Sequence, residues 1–211
     1  MRRRALGFIA LAGGALVLAG CGIRTTQVPV YYGPAPSRPA CEVSGGSRAD
    51  TASPSPGLPV QIYLICASQL KSVDRTAGPA PEASSPAGRV RVAQALLAEL
   101  EREPSAGERE VGFGTDVPGP IAVSGPRPGD PAGTLRLSRQ PEDLPEAALA
   151  QIVCTFAESR AATAGGTVVL GGPGGYPARA YACSAQARER PSEPLPALSA
   201  PASAAPSPSA S

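Results

Sequence analysis

Histidine is absent from this 211-residue chain, and lysine occurs once, at Lys71. Without an imidazole, neither a Ser-His-Asp nor a Cys-His nucleophilic site can be assembled. A Ser–Lys pair would have to use Lys71, which lies in a polar stretch beside Asp74 and Arg75 with no serine in a recognisable motif. There is no CxxC pair and no acidic metal-binding loop. No catalytic residue, cofactor or metal is therefore expected; zinc held by four widely spaced thiolates is the weaker reading of the cysteines. Basic runs and basic residues interleaved with aromatics are also lacking, which argues against nucleic acid as a partner. The apolar run from Ala5 to Ala19 covers 15 residues, short of the roughly 20 that a membrane span needs.

That short run has a different use. Arg2, Arg3 and Arg4 precede it, and small residues lead from it to a cysteine in Leu16-Val-Leu-Ala-Gly-Cys-Gly-Ile23. A charged head, an apolar stretch and a small-residue cleavage site form a secretory signal peptide. Leu18-Ala-Gly-Cys21 resembles the lipobox of bacterial lipoproteins, which implies cleavage before Cys21 and diacylglycerol on its sulfur. The thiol is needed to form the thioether, and small neighbours let a peptidase close on the backbone. Acyl chains then hold the protein at the membrane, at about 0.8 kcal/mol per buried methylene. Both general secretion and twin-arginine export fit the head. Removing it takes three arginines from a formal charge of +2 and leaves −1. The preference for arginine over lysine, with much Ala, Gly and Pro, points to a GC-rich genome and weakens a functional reading of single arginines.

Setting Cys21 aside leaves Cys41, Cys66, Cys154 and Cys183, an even number suited to disulfides in an oxidising compartment. Four cysteines allow three pairings. The preferred one joins Cys66 to Cys154, a core strand to a helix, and Cys41 to Cys183, the tether to the last strand. The chain divides into a signal peptide (1–20), a Pro/Ser/Gly-rich tether (21–57), one domain (58–185) and a Pro/Ala/Ser-rich tail (186–211) whose composition predicts disorder. Within the tether, Val28–Tyr32 could form a strand, and Cys41 is expected to pin the far half to the domain.

In the domain, Leu58–Cys66 is nearly continuously apolar and β-branched, so it reads as an interior strand. A loop is expected from Ala77 to Gly88. Residues 89–103 put Val92, Ala93, Leu96, Leu97 and Leu100 on one helical stripe, leaving Glu99, Glu101 and Glu103 on a solvated face. Ser105 and Glu108 have capping-box spacing for a further short turn. Strands follow at 121–124 and 134–138, the latter with Leu135 and Leu137 on one face and Arg136 on the other. Asp143-Leu-Pro-Glu146 predicts a second capping box opening a helix to Ser159, with Leu149, Ile152, Val153 and Phe156 turned to the core. Strands at 167–170 and 178–183 complete the order β-α-β-β-α-β(β). This is an α+β fold with two helices on one face of a mixed sheet.

The remaining chemical candidates have structural readings. Paired carboxylates among Glu142, Asp143 and Glu146 could serve glycoside chemistry, but helix capping accounts for them. Gly171-Gly-Pro-Gly-Gly-Tyr-Pro177 follows a strand as a phosphate loop does, yet it lacks the Gly-Lys-Ser/Thr ending. Two prolines also remove backbone donors, so a strand-joining turn is expected. Tyr63, Phe113, Phe156, Tyr176 and Tyr181 are assigned to the core and strand edges.

Several blocks, in order, resemble the GerMN domain of spore-germination proteins and actinobacterial envelope lipoproteins. They are Ala95-Leu-Leu97, the turn from Pro104 through Glu108 to Gly112, Gly114-Thr-Asp-Val-Pro118, Leu135-Arg-Leu-Ser138 and Ala150-Gln-Ile-Val-Cys-Thr155. The resemblance spans residues 58–183 and implies an α+β fold with an extracytoplasmic assembly or scaffold role. It differs from longer members in having a single such domain, and Cys154 stands where an aromatic or apolar residue is expected. The expectation is a lipoprotein anchored by Cys21 to the extracytoplasmic face of the cell membrane, with a non-catalytic domain that binds an envelope protein or wall component. The alternative is an envelope hydrolase acting on peptidoglycan or another polymer through acidic residues.

Overall fold

The apolar run Leu58–Cys66 forms strand β1, and it turns straight back into β2, Gln69–Ala77. The computed structural model describes residues 41–42, 57–78, 85–163 and 166–198. All belong to one compact unit; Cys21 and the expected strand Val28–Tyr32 lie outside the described residues. β1 and β2 pair antiparallel along their whole length, Ile62 opposite Val73 and Leu64 opposite Lys71. Ala67 and Ser68 make the two-residue turn with φ of 49° and 60°, the left-handed pair that suits strand twist. β2 occupies the polar stretch between β1 and the expected loop, where the sequence reading places no strand. Its Lys71, Ser72, Asp74 and Thr76 are exposed, so it offers solvent a polar face and lacks the apolar run that marks an interior strand.

The other elements follow in order: α1 (Pro86–Glu101), α2 (Ala106–Glu110), β3 (Val123–Ser124), β4 (Leu135–Leu137), a 3-10 turn (Pro141–Asp143), α3 (Glu146–Ala157), β5 (Thr167–Gly171), β6 (Arg179–Ala182) and α4 (Ala185–Glu189). β3 to β6 form a mixed sheet in that order, antiparallel except for the β4–β5 pair that α3 connects. The fold is α+β as expected, but β1 sits in a two-stranded sheet of its own. Helices α1 and α3 touch each other, and each touches both sheets. The α1 stripe and the four α3 residues predicted for the core are all buried. In α3 burial extends to every residue from Ala147 to Ala157, as for a helix covered all round.

A strand pairs along only one of its edges with β2, so the other edge of β1 needs partners. The Gln151 amide donates to the Tyr63 carbonyl at 2.9 Å, the Tyr63 amide donates to Thr155 Oγ1 at 3.0 Å, and Ile65 exchanges two backbone bonds with Gly114. Gln151 Oε1 also accepts from the Asp116 amide at 2.9 Å. This fully buried glutamine thus ties α3, β1 and the loop after α2 together. Gln151→Leu keeps the volume but strands the Tyr63 carbonyl and loosens Asp116. A loss of about 2–3 kcal/mol in unfolding free energy is expected by denaturant titration.

Two local expectations at helix starts have different outcomes. The Ser105–Glu108 capping box is present at α2, and Glu108 also takes Arg75 of β2 at 2.9 Å. The Asp143–Glu146 box is absent, because α3 is capped by Pro145 with no side-chain bond. Asp143 instead closes the 3-10 turn, its amide donating to the Gln140 carbonyl, and so sits two residues before the position from which a side chain could cap. The α1 acids also differ from a solvated row. Glu99 is buried beside Arg102, and Glu101 accepts from the Ile121 amide; Glu103 is exposed and pairs with Arg109.

The disulfides are Cys41–Cys66 and Cys154–Cys183, with Cα separations of 5.7 and 4.6 Å. This corrects the expected Cys66–Cys154 and Cys41–Cys183 pairing. Strand alternation is the reason: Cys66 shares the β1 face of Ile62 and Leu64, whereas Tyr63 on the opposite face packs with Cys154, Ala150 and Leu70. Cys41 does pin its segment to the domain as expected, its amide also donating to the Val111 carbonyl.

The domain also runs further than composition indicated. Residues 186–198, assigned to the disordered tail, contain most of α4, a buried Pro191 and a Leu195 packed against the core. The Leu198 amide donates to the Ala180 carbonyl at 2.8 Å. A few anchors (Ala187, Pro191, Leu195) suffice here because the Cys154–Cys183 bridge and the Ser184 cap of α4 have already fixed the chain beside them. Residues 199–211 lie outside the described residues.

Candidate functional site

Between β4 and α3 the 3-10 turn Pro141–Asp143 faces the glycine-rich loop that joins β5 to β6. The loop is the strand-joining turn expected from sequence, since β5 and β6 pair antiparallel on either side of it. What shapes it is Arg136. This side chain is 6 % exposed and holds Asp130 through two bonds of 2.7 and 2.6 Å. Its third nitrogen donates to the Gly172 and Gly174 carbonyls at 2.7 and 3.3 Å. Arg127 adds a 2.9 Å bond to the Gly174 carbonyl. The loop therefore aims carbonyls at arginines, the opposite of an anion cradle. Asp130 is held below the usual carboxylate range, first by the hydrogen bond from Arg136, and Arg136 is raised in turn by Asp130. Gly172 approaches Gln140 so closely that a Cβ would fall 1.9 Å from its side-chain oxygen and 2.9 Å from its Cα. Glycine is required there by space.

The turn and loop enclose a groove of about 500 Å³ lined by Gln140, Glu142 and Asp143 on one side and by Pro173, Tyr176 and Arg179 among others on the second. Glu142 is fixed from both sides. One oxygen accepts from Arg179 at 3.1 Å and from the Tyr181 hydroxyl at 3.2 Å, and the other accepts from the Gln140 amide. Burial, followed by the charge of Glu142, pushes the Tyr181 hydroxyl up to about 12. A tyrosine raised in the fold binds its proton more tightly there than in the unfolded chain, where it titrates near 10. Its contribution is therefore complete below about pH 10 and is lost as pH rises towards 12. A fall of about 2–3 kcal/mol over that window is expected, and Tyr181→Phe should flatten it in thermal unfolding measured against pH.

Of the residues singled out from sequence, Glu142 and Asp143 meet in this groove; Glu146 is exposed in the first turn of α3 and does not line it. Lys71 is exposed on β2. Tyr63, Phe113, Phe156 and Tyr181 are buried as expected, but Tyr176 is 69 % exposed at the groove, which corrects its assignment to core or strand edge. Tyr176, Gln140 and Arg179 were not legible as site residues. The only signal was a tyrosine flanked by Gly175 and Pro177, where no strand or helix period could bury it. A two-carboxylate hydrolysis needs acids flanking the bond to be cut. Here Glu142 and Asp143 belong to one short turn, and the lining contributed by the loop and β6 has no carboxylate. Among the described residues no three His, Cys, Asp or Glu side chains gather to hold a metal, and no helix is long and apolar enough to cross a membrane. Comparison with protein-family models, curated proteins and solved structures finds no match to this chain.

Proposed function

We propose that the chain is a lipoprotein held by Cys21 on the extracytoplasmic face of the cell membrane, with a non-catalytic, GerMN-like domain that binds an envelope component at the groove beside Tyr176. The observation that carries this is the cysteine pattern. Cys41, Cys66, Cys154 and Cys183 are consumed in two bridges, which suit an oxidising compartment, and the one cysteine left over is the one that follows the lipobox-like segment. Because Cys41 is bridged to Cys66, residues 22–40 separate the acylated end from the domain and give it reach above the lipid surface. The preformed groove supplies a binding face, while its two acids on one wall argue against hydrolysis.

Mass spectrometry of the protein from membranes tests the anchor. A mature N-terminus at Cys21 carrying diacylglycerol is expected, and Cys21→Ser should move the protein out of the membrane fraction. An intact leader or an unmodified sulfur on membrane protein overturns the reading. Crosslinking in intact cells tests the binding role. A truncation used to separate tail from domain must begin after Leu198, because the segment before it packs on the domain.

A further inference from the structure

We infer that the groove is a saccharide subsite, and that its ligand is a neutral, hydroxyl-rich glycan stacked on Tyr176. The inference rests on the binding role proposed above and names the class of ligand. Three properties of the groove select it.

The first is the ring. Tyr176 is the one large aromatic left exposed among the described residues, at 69 %, and it stands on a loop fixed by Arg136 and Arg127. A ring carried at a groove on a loop whose backbone is already anchored offers an apolar face at reduced ordering cost. The CH face of a pyranose is of matching size and polarity.

The second is the polar lining. Asp143 is exposed and lines the same groove as the ring, and its carboxylate makes no hydrogen bond or ion pair among the described residues. Arg179 uses its Nε on Glu142 at 3.1 Å, and among the described residues its outer guanidinium nitrogens remain available to donate. A planar acceptor and a planar donor close to an apolar face are what vicinal hydroxyls require.

The third is charge. The ionisable groups lining the groove are Glu142, Asp143 and Arg179. Glu142 and Arg179 neutralise one another, and Asp143 leaves one negative charge. That balance disfavours phosphodiester and uronate polymers, which would meet repulsion without a free cation cluster to offset it. A polyproline ligand fits less well, because a single aromatic ring lines the groove where proline-rich segments dock between several.

The test uses the full chain, purified in detergent with both disulfides oxidised. Its probes are linear oligomers of β-1,4-linked N-acetylglucosamine and of neutral glucose, a galacturonate oligomer and a proline-rich peptide. Saturation-transfer NMR and calorimetric titration read the binding. Saturable binding of at least one neutral oligomer is expected, with the sugar recovered uncut. Tyr176→Ala should weaken it about tenfold or more, Tyr176→Phe should retain it, and Asp143→Asn should weaken it several-fold, all with unchanged melting temperature. No binding of either neutral oligomer, binding indifferent to Tyr176→Ala, or preference for the uronate or the peptide would overturn the inference. The anchor is read separately: a lipidated chain that ignores sugars sinks only the saccharide assignment, whereas a sugar-binding chain without lipid sinks only the anchor.

Discussion

Arg136→Leu is expected to lower the unfolding free energy by about 3–5 kcal/mol, the cost of breaking a buried ion pair by removing one partner. Asp130 would keep its charge in a site where its side chain is 7 % exposed, and the Gly172 carbonyl would lose its donor. The paired change Arg136→Leu with Asp130→Asn should recover part of the loss, since it removes a buried charge that has lost its guanidinium partner and keeps the Arg127 amide. If the single and double variants were equally unstable, the pair would not be the source. Acid provides an independent measure. A carboxylate lowered in the fold contributes stability above its unfolded value of about 3.9, and that contribution is lost as pH falls through the lower folded value. Wild type should therefore weaken below about pH 4 with a slope that Asp130→Asn reduces. The effect reaches the groove as well. Without Arg136 the glycine-rich loop keeps only the Arg127 contact among the donors seen here at Gly174, so a ligand stacked on Tyr176 would have to order the loop as it binds.

Why sequence reached some of this architecture and not the rest follows from what each signal measures. Periodicity reports one buried face, so it found α1, α3 and β1, each with an apolar stripe or run. It could not find β2, whose outward residues are polar and whose core contribution is chiefly Leu70 and Ala77. Capping spacing was right at Ser105, where Glu108 completes the box. It failed at Asp143 because Pro141 and Pro145 set a 3-10 turn before the helix proper. Local spacing cannot report which residue the chain will use as its cap. The tail assignment averaged composition over residues 186–211 and so missed three anchors near its start. The groove was least legible of all. Its residues come from two segments, 140–143 and 173–179, far apart in sequence and joined by the reach of Arg136 and by the close approach of Gly172 to Gln140. Neither relation leaves a mark in either segment alone.

Removing the disulfides should have the largest effect of any change outside the apolar core. The bridges join residues 25 and 29 positions apart, and loop closures of that length contribute about 3–4 kcal/mol each in the chain-entropy account. Cys154→Ala with Cys183→Ala should therefore lower the melting temperature by about 10 °C. It should also free the end of β6 and α4 from α3, seen as faster amide exchange through residues 185–198. Cys41→Ala with Cys66→Ala should cost a similar amount while leaving α4 protected, since that bridge ties the Cys41 segment to the end of β1. Losing both would remove about 7 kcal/mol, which lies within the whole stability of an ordinary domain, about 5–15 kcal/mol. The chain should therefore be far less stable with its thiols reduced than with both bridges formed. Peptide mapping without reduction checks the premise: fragments linking Cys41 to Cys66 and Cys154 to Cys183 are expected, and a Cys66–Cys154 linked fragment would refute the alternation argument that places Cys66 and Cys154 on opposite faces of β1.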